Sequence, residues 1–164
     1  MREDRHGFRP VGTRHLKALL SACCLLLLYP LIGCSQQPRT TENLETLVIR
    51  TAERDVRYRI EIAANDAART QGLMYRRHLP EDQGMLFDFH TSQQVSFWMQ
   101  NTYIPLDMLF IDSRGVIRKI VRNTEPLSTR SIPSDHAVRY VLEVNASQTE
   151  RHGIQVGDSL LLPQ

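Results

Sequence analysis

Val56-Arg57-Tyr58-Arg59-Ile60-Glu61-Ile62 alternates apolar and charged residues with a period of two. That pattern marks a strand with one face buried and the other in water. Upstream, Leu47-Val48-Ile49 forms a second apolar run, separated from the first by a charged turn around Glu53 to Asp55. Downstream, Asn65 can cap a short helix from Asp66 to about Gln71, and Gly72 stops it. Further strands are predicted over Gly84 to Phe89, Val95 to Met99, Leu106 to Ile111, Val116 to Val121, Ala137 to Val144 and Ser159 to Leu162. Asp112-Ser113-Arg114-Gly115 reads as a hairpin turn with glycine at the position that needs positive φ. Ser147-Gln148-Thr149-Glu150 has capping-box spacing, which opens a second short helix stopped at Gly153. Neither helix is long enough to serve as a βαβ crossover, so the strands are expected to pair antiparallel. The expected fold is mainly β, α+β at the margin: one small antiparallel barrel-like domain with two short helices.

The start of the chain has a different character. Arg14 and Lys17 precede an uncharged, leucine-rich stretch from Ala18 to Ile32. That length suits a signal-peptide core and is short of the roughly 20 residues a spanning helix needs. The stretch ends in Leu31-Ile32-Gly33-Cys34, a small residue directly before a cysteine, as in the lipobox of bacterial lipoproteins. Residues 1–33 are therefore expected to be a lipoprotein signal peptide, with Cys34 as the lipidation site. Residues 34–45, polar and containing Pro38, read as a tether, and 46–164 as the β domain. Ser35 after the cysteine lacks the acidic residue associated with inner-membrane retention. The domain is thus expected on the periplasmic or exterior side of the envelope, with the outer membrane favoured.

Loss of residues 1–33 changes the charge. The whole chain has net charge +2, but five basic and two acidic residues leave with the signal. What remains has 15 Lys and Arg against 16 Asp and Glu, a balance of −1. No basic footprint for nucleic acid survives. Cys23 and Cys24 leave too, so the domain has neither a disulfide nor thiol chemistry and must be held by its core.

Signatures of catalysis are missing: no G-x-S-x-G, no H-E-x-x-H, no phosphate-binding loop and no dinucleotide fingerprint. His78, His90, His136 and His152 are scattered, so no metal and no cofactor is expected. The informative segment runs Phe97-Trp98-Met99-Gln100-Asn101-Thr102-Tyr103-Ile104-Pro105-Leu106-Asp107. Asp107 enters an otherwise apolar run, and a buried acid must be hydrogen-bonded, paired or protonated. Either it accepts backbone N–H groups of the Asn101 to Ile104 turn, or it lines a pocket with Trp98 as platform and Asn101 and Thr102 as polar contacts.

Ala67-Ala68-Arg69-Thr70-Gln71-Gly72-Leu73-Met74 with Arg76, then Gly84-Met85-Leu86-Phe87, the Trp98 to Asp107 block, Tyr140-Val141-Leu142-Glu143 and Gly153 to Asp158 occur in order. In these blocks the chain resembles the domain of unknown function 192 family, uncharacterised and often exported prokaryotic proteins, over roughly residues 47 to 162. Gln100 stands where that family usually has Lys, and Ser147 where Gly is common. The resemblance implies a small β-rich barrel and a frequent signal peptide, but no activity. It also picks out Arg76, Trp98, Asn101, Thr102, Asp107 and Glu143 as the polar and aromatic members of its blocks. Glu143, like Asp107, is an acid closing an apolar run.

The functional expectation is a monomeric envelope lipoprotein, non-catalytic, whose β domain binds a small polar or saccharide ligand against Trp98. The rival is a hydrolase of envelope glycan with Asp107 and Glu143 as paired carboxylates. A third reading makes every block a folding determinant.

Overall fold

The computed structural model describes residues 44–161, so the segment read as a signal peptide, Cys34 and most of the segment read as a tether lie outside the described residues. Nine strands and two short helices follow one another: β1 (Glu45–Arg50), β2 (Asp55–Ala63), α1 (Asp66–Gln71), β3 (Gln83–Gln93), β4 (Ser96–Phe97), β5 (Leu106–Ile111), β6 (Ile117–Val121), β7 (Ile132–Pro133), β8 (Val138–Asn145), α2 (Gln148–Arg151) and β9 (Ser159–Leu161). Seven strands form one curled sheet in the order β6-β5-β8-β3-β2-β1-β9, a half-barrel, and β4 pairs with β7 apart from it. The mainly β, barrel-like reading of the sequence holds. No helix among the described residues is long and apolar enough to cross a membrane.

Two apolar clusters sandwich the sheet. The first draws on all seven strands, with Ile49, Ile60, Leu86, Leu109, Ile117 and Leu160 among its members, and fills the hollow of the curl. The second covers the outer face, where Met85, Phe87, Met108 and Phe110 pack against Leu73 and Met99 from the connecting segments. Central β5 is buried at every position because both of its faces are covered. That explains why Leu106 to Ile111 reads as a continuous apolar run and not as an alternation. In β2 the alternation is real through Ile60, yet Ile62 is 41% exposed. β1 ends its pairing at Glu45 opposite Ile60, so Ile62 lies past the rim of the hollow.

Several details differ from the expected pattern. β2 and β3 pair in parallel, with Ile60 opposite Gly84 and Ala63 opposite Phe87. The crossover spans residues 64–82 and holds only the six residues of α1, the rest being irregular chain. A full crossover helix is therefore not required for a single parallel pair. The predicted strand from Val95 to Met99 shrinks to Ser96–Phe97, whose partner β7 has no strand-like pattern in the sequence. β1 begins at Glu45, inside the segment read as tether.

The helix ends also diverge. At α1, Asn65 caps as expected: its side-chain oxygen accepts from the Ala68 N–H at 2.8 Å, and the Gly72 N–H closes the helix on the Ala68 carbonyl. At α2 the capping box does not form. Ser147 sits at φ 67, its hydroxyl makes no cap bond, and it donates instead to Asn123 Oδ1. The cap comes from Asp107 of β5, three strands earlier in the chain, whose carboxylate accepts the Ser147 and Thr149 N–H groups.

Candidate functional site

Strand alternation separates the two unusual acids. Across β5 and β8 the register pairs Met108 with Glu143 and Asp107 with Val144. Val144 belongs to the cluster in the hollow and Met108 to the outer one, so Asp107 faces inward and Glu143 outward.

Asp107 is fully buried and fully engaged. One oxygen accepts from the Asn123 N–H at 2.9 Å and the Ser147 N–H at 3.2 Å. The other accepts from the Thr149 N–H at 2.9 Å and the Thr149 hydroxyl at 2.7 Å. These donors come from the chain just after β6 and from the start of α2, not from the Asn101 to Ile104 turn that the sequence suggested. The carboxylate ties three distant segments together and has no face left for a ligand.

Glu143 is the opposite case. It lies on the outer face in register between Met85 of β3 and Met108 of β5, and only 5% of it is exposed. Among the described residues its carboxyl has neither a hydrogen-bond donor nor an ion-pair partner. Burial alone pushes its pKa up to about 8. The roof over it is built from the turn after α1, with Gly72, Leu73 and Met74, and from Trp98 and Thr102 of the chain between β4 and β5. Between roof and sheet runs a narrow cleft of about 40 Å³, with Glu143 in its wall. It shares Arg69, Thr70, Phe97 and Trp98 with a broader groove of about 370 Å³ that also touches Asp66 and Phe89.

Trp98 stands between cleft and groove, 52% exposed, a large aromatic left in water. Arg69, the only cation at the cleft among the described residues, donates at 2.7 Å to the Ala64 and Asp88 carbonyls and pairs with Asp66 at 2.5 Å. Its guanidinium also lies over the Phe89 ring, 5.4 Å from the centroid.

The remaining predicted residues serve the frame. Asn101, at φ 58, donates from its side chain to the Tyr75 hydroxyl at 3.0 Å and receives the Tyr75 N–H on its carbonyl at 2.8 Å. Tyr75 is itself at φ 64, unusual for an aromatic residue. The pair clamps the two roof segments to each other. Thr102 is buried within the roof, its carbonyl accepting the Leu127 N–H. Arg76 forms a two-pronged ion pair with Glu61, one contact at 2.5 Å, and lines a separate groove of about 400 Å³ with Ile62, Ala63 and Met85. The structure thus brings Trp98, Thr102 and Glu143 to one cleft, with Asn101 bracing it, and leaves Arg76 and Asp107 elsewhere. Sequence reasoning missed Arg69, Phe97 and Tyr75. Arg69 lies within the predicted helix from Asp66 to about Gln71 and Phe97 within the predicted strand from Val95 to Met99, but the positive φ of Tyr75 leaves no trace in residue types. No group of three metal-ligating side chains occurs among the described residues.

Comparison with known proteins gives a family but no activity. Residues 47–162 match the model of DUF192, described as an uncharacterized ACR. A crystal structure from Sinorhizobium meliloti 1021, described as a candidate transcription regulator, is 48% identical with a TM-score of 0.70, covering 71% of this chain and 91% of that one. One from Novosphingobium aromaticivorans DSM 12444, of unknown function, is 29% identical with a TM-score of 0.71, covering 73% and 85% respectively. No curated protein matches.

Proposed function

The chain belongs to the uncharacterized DUF192 family, and from that premise we propose that it is a non-catalytic binding module, lipid-tethered at the cell envelope, whose ligand rests against Trp98. One observation carries the reading: a cleft walled by Glu143, a buried acid without a partner, opens beside an exposed tryptophan. Desolvating an acid that has no donor disfavours its charged form, and the exposed Trp98 ring beside it is apolar surface that a ligand can cover. One ligand can meet both at once. The groove beside Trp98 gives it room, and the Asn101–Tyr75 clamp holds the roof in place before it arrives.

The hydrolase alternative lacks a geometric basis. Asp107 and Glu143 face opposite sides of the sheet, so they cannot act on one bond. The regulator role attached to the Sinorhizobium relative is not carried over, because the chain without its signal segment is slightly acidic. The tether rests on Gly33-Cys34 after a short apolar core. Cys34→Ser should therefore abolish labelled fatty-acid incorporation, and continued acylation would refute the anchor.

Binding is tested by thermal shift against envelope sugars, amines and peptides. A ligand at 100 times its dissociation constant adds about 2.7 kcal/mol. Trp98→Ala should remove the shift, its own cost to the free protein, about 1 to 2 kcal/mol for the buried half of the ring, being read without ligand. A shift that survives in Trp98→Ala would place the ligand elsewhere and end this proposal.

A further inference from the structure

Resting on that binding reading, we propose that the ligand carries a primary amine, whose ammonium group enters the cleft to meet Glu143 while the ring bearing it lies along Trp98. Size is the first argument. The cleft, about 40 Å³, is far smaller than the groove of about 370 Å³ that adjoins it at Trp98, so a small head group suits the first and the body of the ligand the second.

Charge is the second argument. From β3 and β5 the neighbours of Glu143 in register are Met85 and Met108, both neutral. On β2, one strand further along the same row, Glu61 is held by Arg76. From the α1 side the only charged group at the cleft is Arg69, committed to Ala64, Asp88 and Asp66. From the β4–β5 side Phe97, Trp98 and Thr102 carry no charge. Asp107 of β5 faces the other side of the sheet, and on β8 itself Arg139 is paired with Asp88. Among the described residues an ionised Glu143 therefore finds no cation beside it, and a guest ammonium supplies one in a charge-assisted hydrogen bond. An anionic guest would meet the acid with like charge. The indole face of Trp98 favours a cation over a neutral hydroxyl, which decides between the two groups of suitable size.

Protons follow from the same geometry. Below the carboxyl's own titration the amine must displace the Glu143 proton, so affinity rises as pH rises toward 8.

Calorimetric titration of the full chain in detergent with glucosamine and cyclohexylamine, against glucose and cyclohexanol, tests the assignment. The amines should bind at least tenfold more tightly at pH 7.5, a preference growing by up to about tenfold per pH unit between 6 and 8. Glu143→Gln should erase both the preference and its pH dependence. Equal affinity for amine and hydroxyl in the wild type, lost in Trp98→Ala, would overturn the amine assignment and leave the binding site standing. A preference that persists in Glu143→Gln would overturn it too. If none of the four compounds binds, both readings fall.

Discussion

Asp107 and Glu143 occupy adjacent strands at similar depth, and their surroundings give them opposite energetic signs. Asp107 receives four hydrogen bonds from Asn123, Ser147 and Thr149. Asp107→Asn replaces one acceptor oxygen by a donor facing those donors, so stability should fall by roughly 1 to 3 kcal/mol at neutral pH. A variant with an unchanged denaturant midpoint would show that the α2 cap is not held by this side chain. Glu143 has no such donors, and its pKa is raised from 4.5 to about 8. Its carboxyl is protonated in both states below the unfolded value, where it costs nothing by ionisation. As pH climbs from there toward the folded value, the unfolded chain loses its proton first and stability declines, by up to about 1.4 kcal/mol per pH unit. Glu143→Gln should lack that decline, and so be the more stable protein at pH 8. Denaturant midpoints at pH 5 and pH 8 decide it: equal pH dependence in the two proteins rules the unpartnered acid out. Both residues stand out in the sequence as acids in apolar runs. Which of them finds donors does not, because the donors to Asp107 lie 16, 40 and 42 residues further along the chain.

Local signals were legible where the partners are local. Asn65 and the Ala68 N–H are three residues apart, and the Asp112 to Gly115 turn closes through the Gly115 N–H on the Asp112 carbonyl at 3.0 Å. Both follow from residue types alone. The capping box at Ser147 failed because a long-range competitor was better: Asp107 already satisfies the first-turn N–H groups, and Ser147 takes φ 67 to let the chain reach it. β4 and β7 were blurred for a related reason, as a two-residue pair at the edge of the roof leaves too few positions to show a period. The parallel β2–β3 pair is not legible from helix length, because the irregular chain after α1 spans the distance that a helix was expected to span. These readings predict unequal caps. Asn65→Ala should cost about 1 kcal/mol, the usual value for a working N-cap. Ser147→Ala loses only an exposed bond to Asn123 and should cost under about 0.5 kcal/mol. Equal losses in the two variants, measured by urea denaturation, would restore the capping box.

At the scale of the molecule, a sheet with β6 at one edge and β9 at the other must deal with two open rows of backbone groups. The curl brings those edges together at one end. Val116 bridges Ser159, the Ile117 N–H donates to the Asp158 carbonyl at 2.9 Å, and the Leu160 N–H donates to the Gly115 carbonyl at 2.8 Å. Gly115 sits in this seam at φ +85, and a Cβ there would lie 2.7 Å from the Leu160 carbonyl oxygen. The glycine thus does two jobs: it turns the β5–β6 hairpin and lets β9 approach. Gly153 provides the control, because it has φ +67 but no atom within 4 Å of a Cβ. Gly153→Ala should cost only the left-handed backbone penalty, about 1 to 2 kcal/mol. Gly115→Ala should cost that and the clash as well, about 1 to 3 kcal/mol more, because the neighbouring atom is backbone and cannot rotate away. The excess should appear first as faster amide exchange at Ile117 and Leu160, the N–H groups of the seam, since parting the edges there leaves the central ladder β5-β8-β3-β2 intact. Equal destabilisation of the two variants, with Ile117 and Leu160 still protected, would mean that β9 docks through its Val48 to Arg50 pairing with β1 alone, and that the half-barrel holds its curl without the seam.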